Sequence, residues 1–242
     1  MIIKIYGERN SGTNFLEQLL EKNTNCVILP GGHQIYSGIH GWKHGIPELN
    51  KFREYRKEDV LFICIIRELE SWMKSMLNNP YNIKTEIRNI NSVFDLFTKK
   101  FEFRDSVSED TKKWTSDLNV EKMLHYQTNY NLFEQRYIKY NSYKDIINKY
   151  NVIFINLNFL QNNKLVFLNF LQNNYNIELN SDKDLIEKHI KKHKCKKDNH
   201  SRKKINRSYD ININLKDFQK YIDTDLENEI NNLTISNYKL MT

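Results

Sequence analysis

The chain has no alanine, and only three prolines, seven glycines and three cysteines in 242 residues. Cys26, Cys64 and Cys195 are scattered and odd in number, which excludes a disulfide-stapled scaffold and agrees with a reducing compartment. No apolar run approaches the roughly 18 to 20 residues of a membrane span. The opening MIIKIYGERN breaks into charge too early for a secretory leader, so the expectation is a cytoplasmic protein without a membrane span. The missing alanine, beside abundant Asn, Lys, Ile and Tyr, points to an AT-rich coding sequence of the kind found in some parasites, bacteria and large viruses. Runs of Asn and Lys are discounted accordingly.

What is present fits an ordered protein. Hydrophobic residues make up 39% of the chain, aromatics 12% and charged residues 28%, enough to bury a core and too little charge for disorder. The length suits a single α/β domain. The net charge of +7 is uneven: Lys188 to Arg207 holds ten Lys and Arg against one Asp, a local +9 that leaves −2 elsewhere. One basic patch implies a local anionic partner, and nucleic acid is not the expected one.

All seven glycines lie between Gly7 and Gly45, so special backbone geometry is concentrated near the start. Ile2 to Tyr6 reads as a buried strand, Gly7 to Gly12 as a turn and Thr13 to Lys22 as a helix. A short strand is expected at Cys26 to Leu29. The run VLFICII, Val60 to Ile66, has the continuous apolar character of a central parallel strand, with a helix following over Leu69 to Leu77. Asn151 to Leu157 and a helix over Lys164 to Gln172 repeat the unit. Strands alternating with helices predict a three-layer α/β/α fold around a mostly parallel sheet. The aromatic-rich stretch of about residues 84–149 reads as a helical insertion, and about 188–210 as a basic loop, within one domain spanning 1–242.

The stretch YGERNSGTNF, Tyr6 to Phe15, keeps the glycine spacing of a phosphate-binding loop but has Thr13 where a nucleotide kinase has its lysine. A strand, glycine turn and helix start still form an anion site. The run VLFICII ends in Arg67, a residue suited to gripping phosphate and unsuited to a divalent metal, which argues against metal-assisted ATP chemistry.

These residues together resemble the sulfotransferases that use 3'-phosphoadenosine 5'-phosphosulfate (PAPS), whose fold is related to P-loop kinases. Ser11-Gly12-Thr13 stands where that family carries an S-G-T core. Arg67 and Ser75, eight residues apart in RELESWMKS, match the family's pair on the donor's 3'-phosphate. GWKHGIP, Gly41 to Pro47, looks like the segment that supplies the general base. CKKDNHSRKKINRSYD resembles the family's basic C-terminal loop.

The resemblance implies a donor site of Arg9, Asn10, Ser11, Gly12, Thr13, Asn14 and Phe15, with Phe15 stacking on the adenine. Arg67 and Ser75 would hold the 3'-phosphate, with Ser201, Arg202, Lys203 and Lys204 closing over it. His44 would be the general base for an acceptor hydroxyl on a glycan or small molecule, and Lys43 would neutralise the transferring group; PAP would be the product and no metal is implied. Asn10 replaces the family's usual lysine, leaving Arg9 or Lys43 to supply that cation. His33 and His40 compete for the base. The alternatives are a degenerate P-loop kinase, which needs an acidic strand tip where Arg67 and Asn158 are expected; a polyanion-binding module working through Lys188 to Arg207; and an inactive relative. A zinc site of His189, His193, Cys195 and His200 is a further, poorer fit to the spacing.

Overall fold

Seven consecutive buried residues form β3 (Val60–Ile66), the middle strand of a five-stranded sheet in the order β2-β1-β3-β4-β5. The others are β1 (Ile2–Gly7), β2 (Val27–Ile28), β4 (Asn151–Asn156) and β5 (Thr234–Ile235), and every pairing is parallel. The computed structural model describes residues 1–31, 40–78, 92–100, 130–186 and 213–235. Register pairs Gly7 with Ile65 and Ile66 with Asn156, so the three long strands end almost level.

Helices α1 (Thr13–Asn23), α2 (Leu69–Asn78), α3 (Val93–Thr98), α4 (Leu132–Ile147), α5 (Leu157–Asn162), α6 (Lys164–Tyr175) and α7 (Thr224–Leu233) surround the sheet. Successive strand residues point to opposite faces. Ile3, Ile5, Ile63 and Ile65 therefore meet Leu16 and Leu19 of α1 and Phe167 and Leu171 of α6, whereas Tyr6, Phe62 and Cys64 meet Tyr140 and Tyr143 of α4 and Ile230 of α7. Both faces are covered, which is why β3 reads as an unbroken apolar run. A third cluster joins Trp72 and Met76 of α2, Phe97 of α3 and Phe133 of α4 to Phe218 in a short 3-10 helix (Leu215–Tyr221).

Several boundaries differ from expectation for local reasons. The strand expected over Cys26 to Leu29 shortens to an edge pair, while Thr24 bridges antiparallel to Leu179. The strand β4 stops at Asn156 because its side chain caps α5, accepting from the amides of Asn158 at 2.8 Å and Phe159 at 3.3 Å. The strand tip is thus Asn156, and the expected tip, Asn158, belongs to α5. Helix α6 runs past Gln172 to Tyr175 and ends on Asn176 at φ 55°. Within the expected insertion, α4 opens on a capping box between Asn131 and Glu134, and residues 101–129 lie outside the described residues. No helix among the described residues is long and apolar enough to cross a membrane.

Candidate functional site

From β1 the chain passes through α1 to β2 on one side, then crosses back to β3 on the other. In open parallel sheets this switch point leaves a crevice beyond the carboxyl ends of the two strands, where ligands bind. The turn after β1 occupies that crevice. At Gly7 a Cβ would come within 2.5 Å of Ser11 Oγ and 2.6 Å of Ile65 Cγ2, so only glycine admits so close a turn. Gly12 has φ 94°, and a side chain there would also strike Leu157. Asn10 takes the left-handed conformation at φ 61°.

Ser11 is the turn's lock. Its amide and its hydroxyl both donate to the Glu8 carbonyl, at 3.2 and 2.7 Å, and its side chain is buried, so neither group faces a ligand as expected. Helix α1 then begins at Thr13 with no side-chain cap and no acid in its first turn. Among the described residues no side chain caps its leading amides, and its positive dipole end lies at the crevice. Phe15 is 4% exposed and packs in the core against the sheet, which removes it from any nucleotide surface.

Arg67, directly beyond β3, reaches across to this turn. Its Nη1 donates to the Asn10 carbonyl at 2.8 Å and its Nε to Ser71 Oγ at 3.0 Å, two bonds from a fork of five N–H donors. Burial pulls the guanidinium's pKa down and Glu8 pulls it up. Asn10 also points its amide at Met76 Sδ, 3.0 Å away, with the Ser75 carbonyl at 3.5 Å. Arg67, Asn10 and Ser75 are therefore brought together. Ser71, one helical turn before Ser75, is the serine whose hydroxyl holds Arg67.

The loop after Gly41 lies along the other side of the turn. Gly7 donates its amide to the Lys43 carbonyl at 2.9 Å, and the His44 ring nitrogen Nδ1 lies 2.9 Å from the Gly7 carbonyl. A carbonyl only accepts, so Nδ1 carries the proton and Nε2 is left as the basic nitrogen. Burial and then the charge of Arg9 hold the imidazole well below its ordinary pKa, so it is neutral at pH 7. The Lys43 ammonium is bound to Glu17 at 2.8 Å and to Asn14 Oδ1, over the first turns of α1. His40 sits apart, against Tyr55 and Phe52.

Other members of the site give little sign of themselves in the sequence. Glu8, 2% exposed, receives Arg136 Nη1 and the Tyr140 hydroxyl, the latter at 3.0 Å. Arg136 also binds Glu227 and donates to the Arg67 carbonyl at 3.0 Å, joining the turn, the β3 tip and α7. Burial raises the Glu8 carboxyl above the usual range despite Arg136 and Lys139. Arg9 stacks 4.6 Å from the Trp42 ring, which packs edge-on to His44. Lys4, fully buried in β1, donates to the carbonyls of Pro30 at 2.9 Å and Gly41 at 2.6 Å, fastening the loop that carries Lys43 and His44.

No family model, no curated protein and no solved structure matches this chain. The geometry alone therefore carries the functional argument. Ser201, Arg202, Lys203 and Lys204, with His33 and the candidate zinc ligands, lie outside the described residues. Among the described residues no group of three or more His, Cys, Asp or Glu is arranged to hold a metal. A cavity of about 390 Å³ between Ile46, Pro47 and the end of α4 is lined by none of the expected site residues.

Proposed function

We propose that this protein is a sulfotransferase that moves the sulfuryl group of PAPS to an acceptor hydroxyl, using a P-loop-like turn without the kinase lysine. The observation that carries the reading is Arg67: a guanidinium at the tip of the central strand, bonded to the turn through the Asn10 carbonyl. Such a fork suits a phosphate monoester.

In this reading the uncapped amides at the start of α1 hold the 5'-phosphosulfate, and Arg9 supplies positive charge; Thr13, 3% exposed, is too buried to offer its hydroxyl without movement. Arg67 and Ser75 hold the 3'-phosphate. His44 Nε2 takes the acceptor's proton. As the acceptor oxygen bonds to sulfur, the bond from sulfur to the bridging phosphate oxygen breaks, and its electron pair leaves on the 5'-phosphate of PAP. Lys43 reaches the transferring group only by exchanging its contacts to Glu17 and Asn14. The kinase alternative lacks support at the strand tips, Arg67 and Asn156, and the buried acid beside the turn, Glu8, is engaged by Arg136 and Tyr140.

The test is turnover of PAPS labelled with radioactive sulfur against a panel of sugars, phenols and alcohols. Labelled acceptor and PAP in equal amounts are expected, unchanged by a chelator. Phosphoryl transfer from Mg²⁺-ATP with PAPS untouched would overturn the reading.

A further inference from the structure

Glu8 carries an unused hydrogen-bonding atom beside the proposed site. Its Oε2 is taken by Arg136 and Tyr140, but its buried Oε1 has no partner among the described residues. A carboxylate oxygen withdrawn from water and left bare is costly, and such atoms are rare in folded proteins. Glu8 lines a narrow cleft between the turn, α2 and α4, walled by Arg9, Trp72, Gln135, Arg136 and Lys139, with Met76 and Leu132 as its apolar side. The cleft has about 10 Å³ for the centre of an occupant, room for one water-sized group.

Packing joins it to the proposed base: Arg9, one of its walls, stacks on Trp42, which lies edge-on to His44. Arg9 and Lys139, two of its walls, both act on the charge of His44. A hydroxyl satisfies Oε1 in either protonation state of Glu8, because it donates to the carboxylate and accepts from the acid. An ammonium suits only the first state and an anion only the second, while a methyl leaves the oxygen bare.

We propose that this cleft is an acceptor subsite that receives a second hydroxyl of a polyhydroxylated acceptor, next to the one that reacts, with Glu8 Oε1 as its partner. The inference rests on the sulfotransferase reading and narrows it: a lone phenol or simple alcohol has no group to place there.

The experiment measures binding of methyl glucoside and of 4-methylphenol to the full chain with saturating PAP, in the wild type, Glu8→Leu and Leu132→Phe. Glu8→Leu removes the acceptor atom. Leu132→Phe fills the cleft from its apolar wall without touching the pair between Glu8 and Arg136, so it keeps the test open should Glu8→Leu fail to fold. Glucoside binding at roughly millimolar dissociation constant is expected, lost by more than tenfold in Leu132→Phe with PAP affinity unchanged. Binding undiminished in Leu132→Phe, tighter binding of the phenol than of the sugar, or a crystal of the ternary mixture with a lone water in the cleft would each overturn the subsite. Glucoside binding that Leu132→Phe abolishes, in a protein that ignores PAP, would sink the donor reading and uphold the subsite.

Discussion

The imidazole of His44 donates from Nδ1 to the carbonyl of Gly7, the last residue of β1, at 2.9 Å. That bond fixes the tautomer and ties the candidate base to the same turn that starts the proposed anion site. Because burial and Arg9 lower its pKa well below 6.5, the neutral, basic form persists to acid pH. The expected profile of kcat/KM is flat through pH 6.5 and falls only well below it. His44→Ala should lose about 10²- to 10⁴-fold in transfer rate with PAP affinity retained. An acid limb centred at or above pH 6.5 would contradict this assignment.

Lys4 makes a separate prediction on stability. Burial first, then Lys43, depresses its pKa from 10.5 to about 7 in the folded chain. Between those values the unfolded chain binds the extra proton, so stability rises with pH from about 7 to about 10.5, and below pH 7 the cost of burying the charge is fully present. In urea unfolding, wild type relative to Lys4→Met should gain roughly 1.4 kcal/mol per pH unit over that window. A difference that does not change with pH over that window would show that Lys4 keeps its ordinary pKa in the folded chain.

Arg136 is the hub beneath the site, 1% exposed, between Glu8 and Glu227. Arg136→Met removes the guanidinium that bonds two buried carboxylates, a loss of about 3 to 5 kcal/mol in chemical unfolding. Because Arg136 also holds the Arg67 carbonyl, the folded fraction of this variant should bind PAP less tightly. Replacement at a cost under about 1 kcal/mol would mean that the buried pair contributes little.

Much of the scaffold is legible in the sequence and much of the site is not. The strands β1, β3 and β4 announce themselves because a strand buried on both faces must be apolar throughout, and Gly7 and Gly12 because the turn admits no side chain. Lys4 breaks its strand's apolar run, and nothing local in the sequence announces its two carbonyl acceptors, on Pro30 and Gly41. Glu8 and Arg136 are 128 residues apart, beyond any local pattern. Phe15 sits at a position that suggests stacking, yet helical periodicity places it with Leu16 and Leu19 in the core. The family resemblance singles out Ser75, whereas the hydroxyl that binds Arg67 is on Ser71, one turn earlier on the same face.

The central claim is a donor site built on Arg67 that needs no metal. Calorimetric titration with PAP, with and without Mg²⁺ and against Mg²⁺-ATP, tests it most directly in the wild type and in Arg67→Ala. The account predicts metal-independent PAP binding, tighter than that of Mg²⁺-ATP and weakened by roughly 10- to 100-fold in Arg67→Ala through loss of a charge-assisted contact. Preference for Mg²⁺-ATP, or PAP binding indifferent to Arg67, would contradict it.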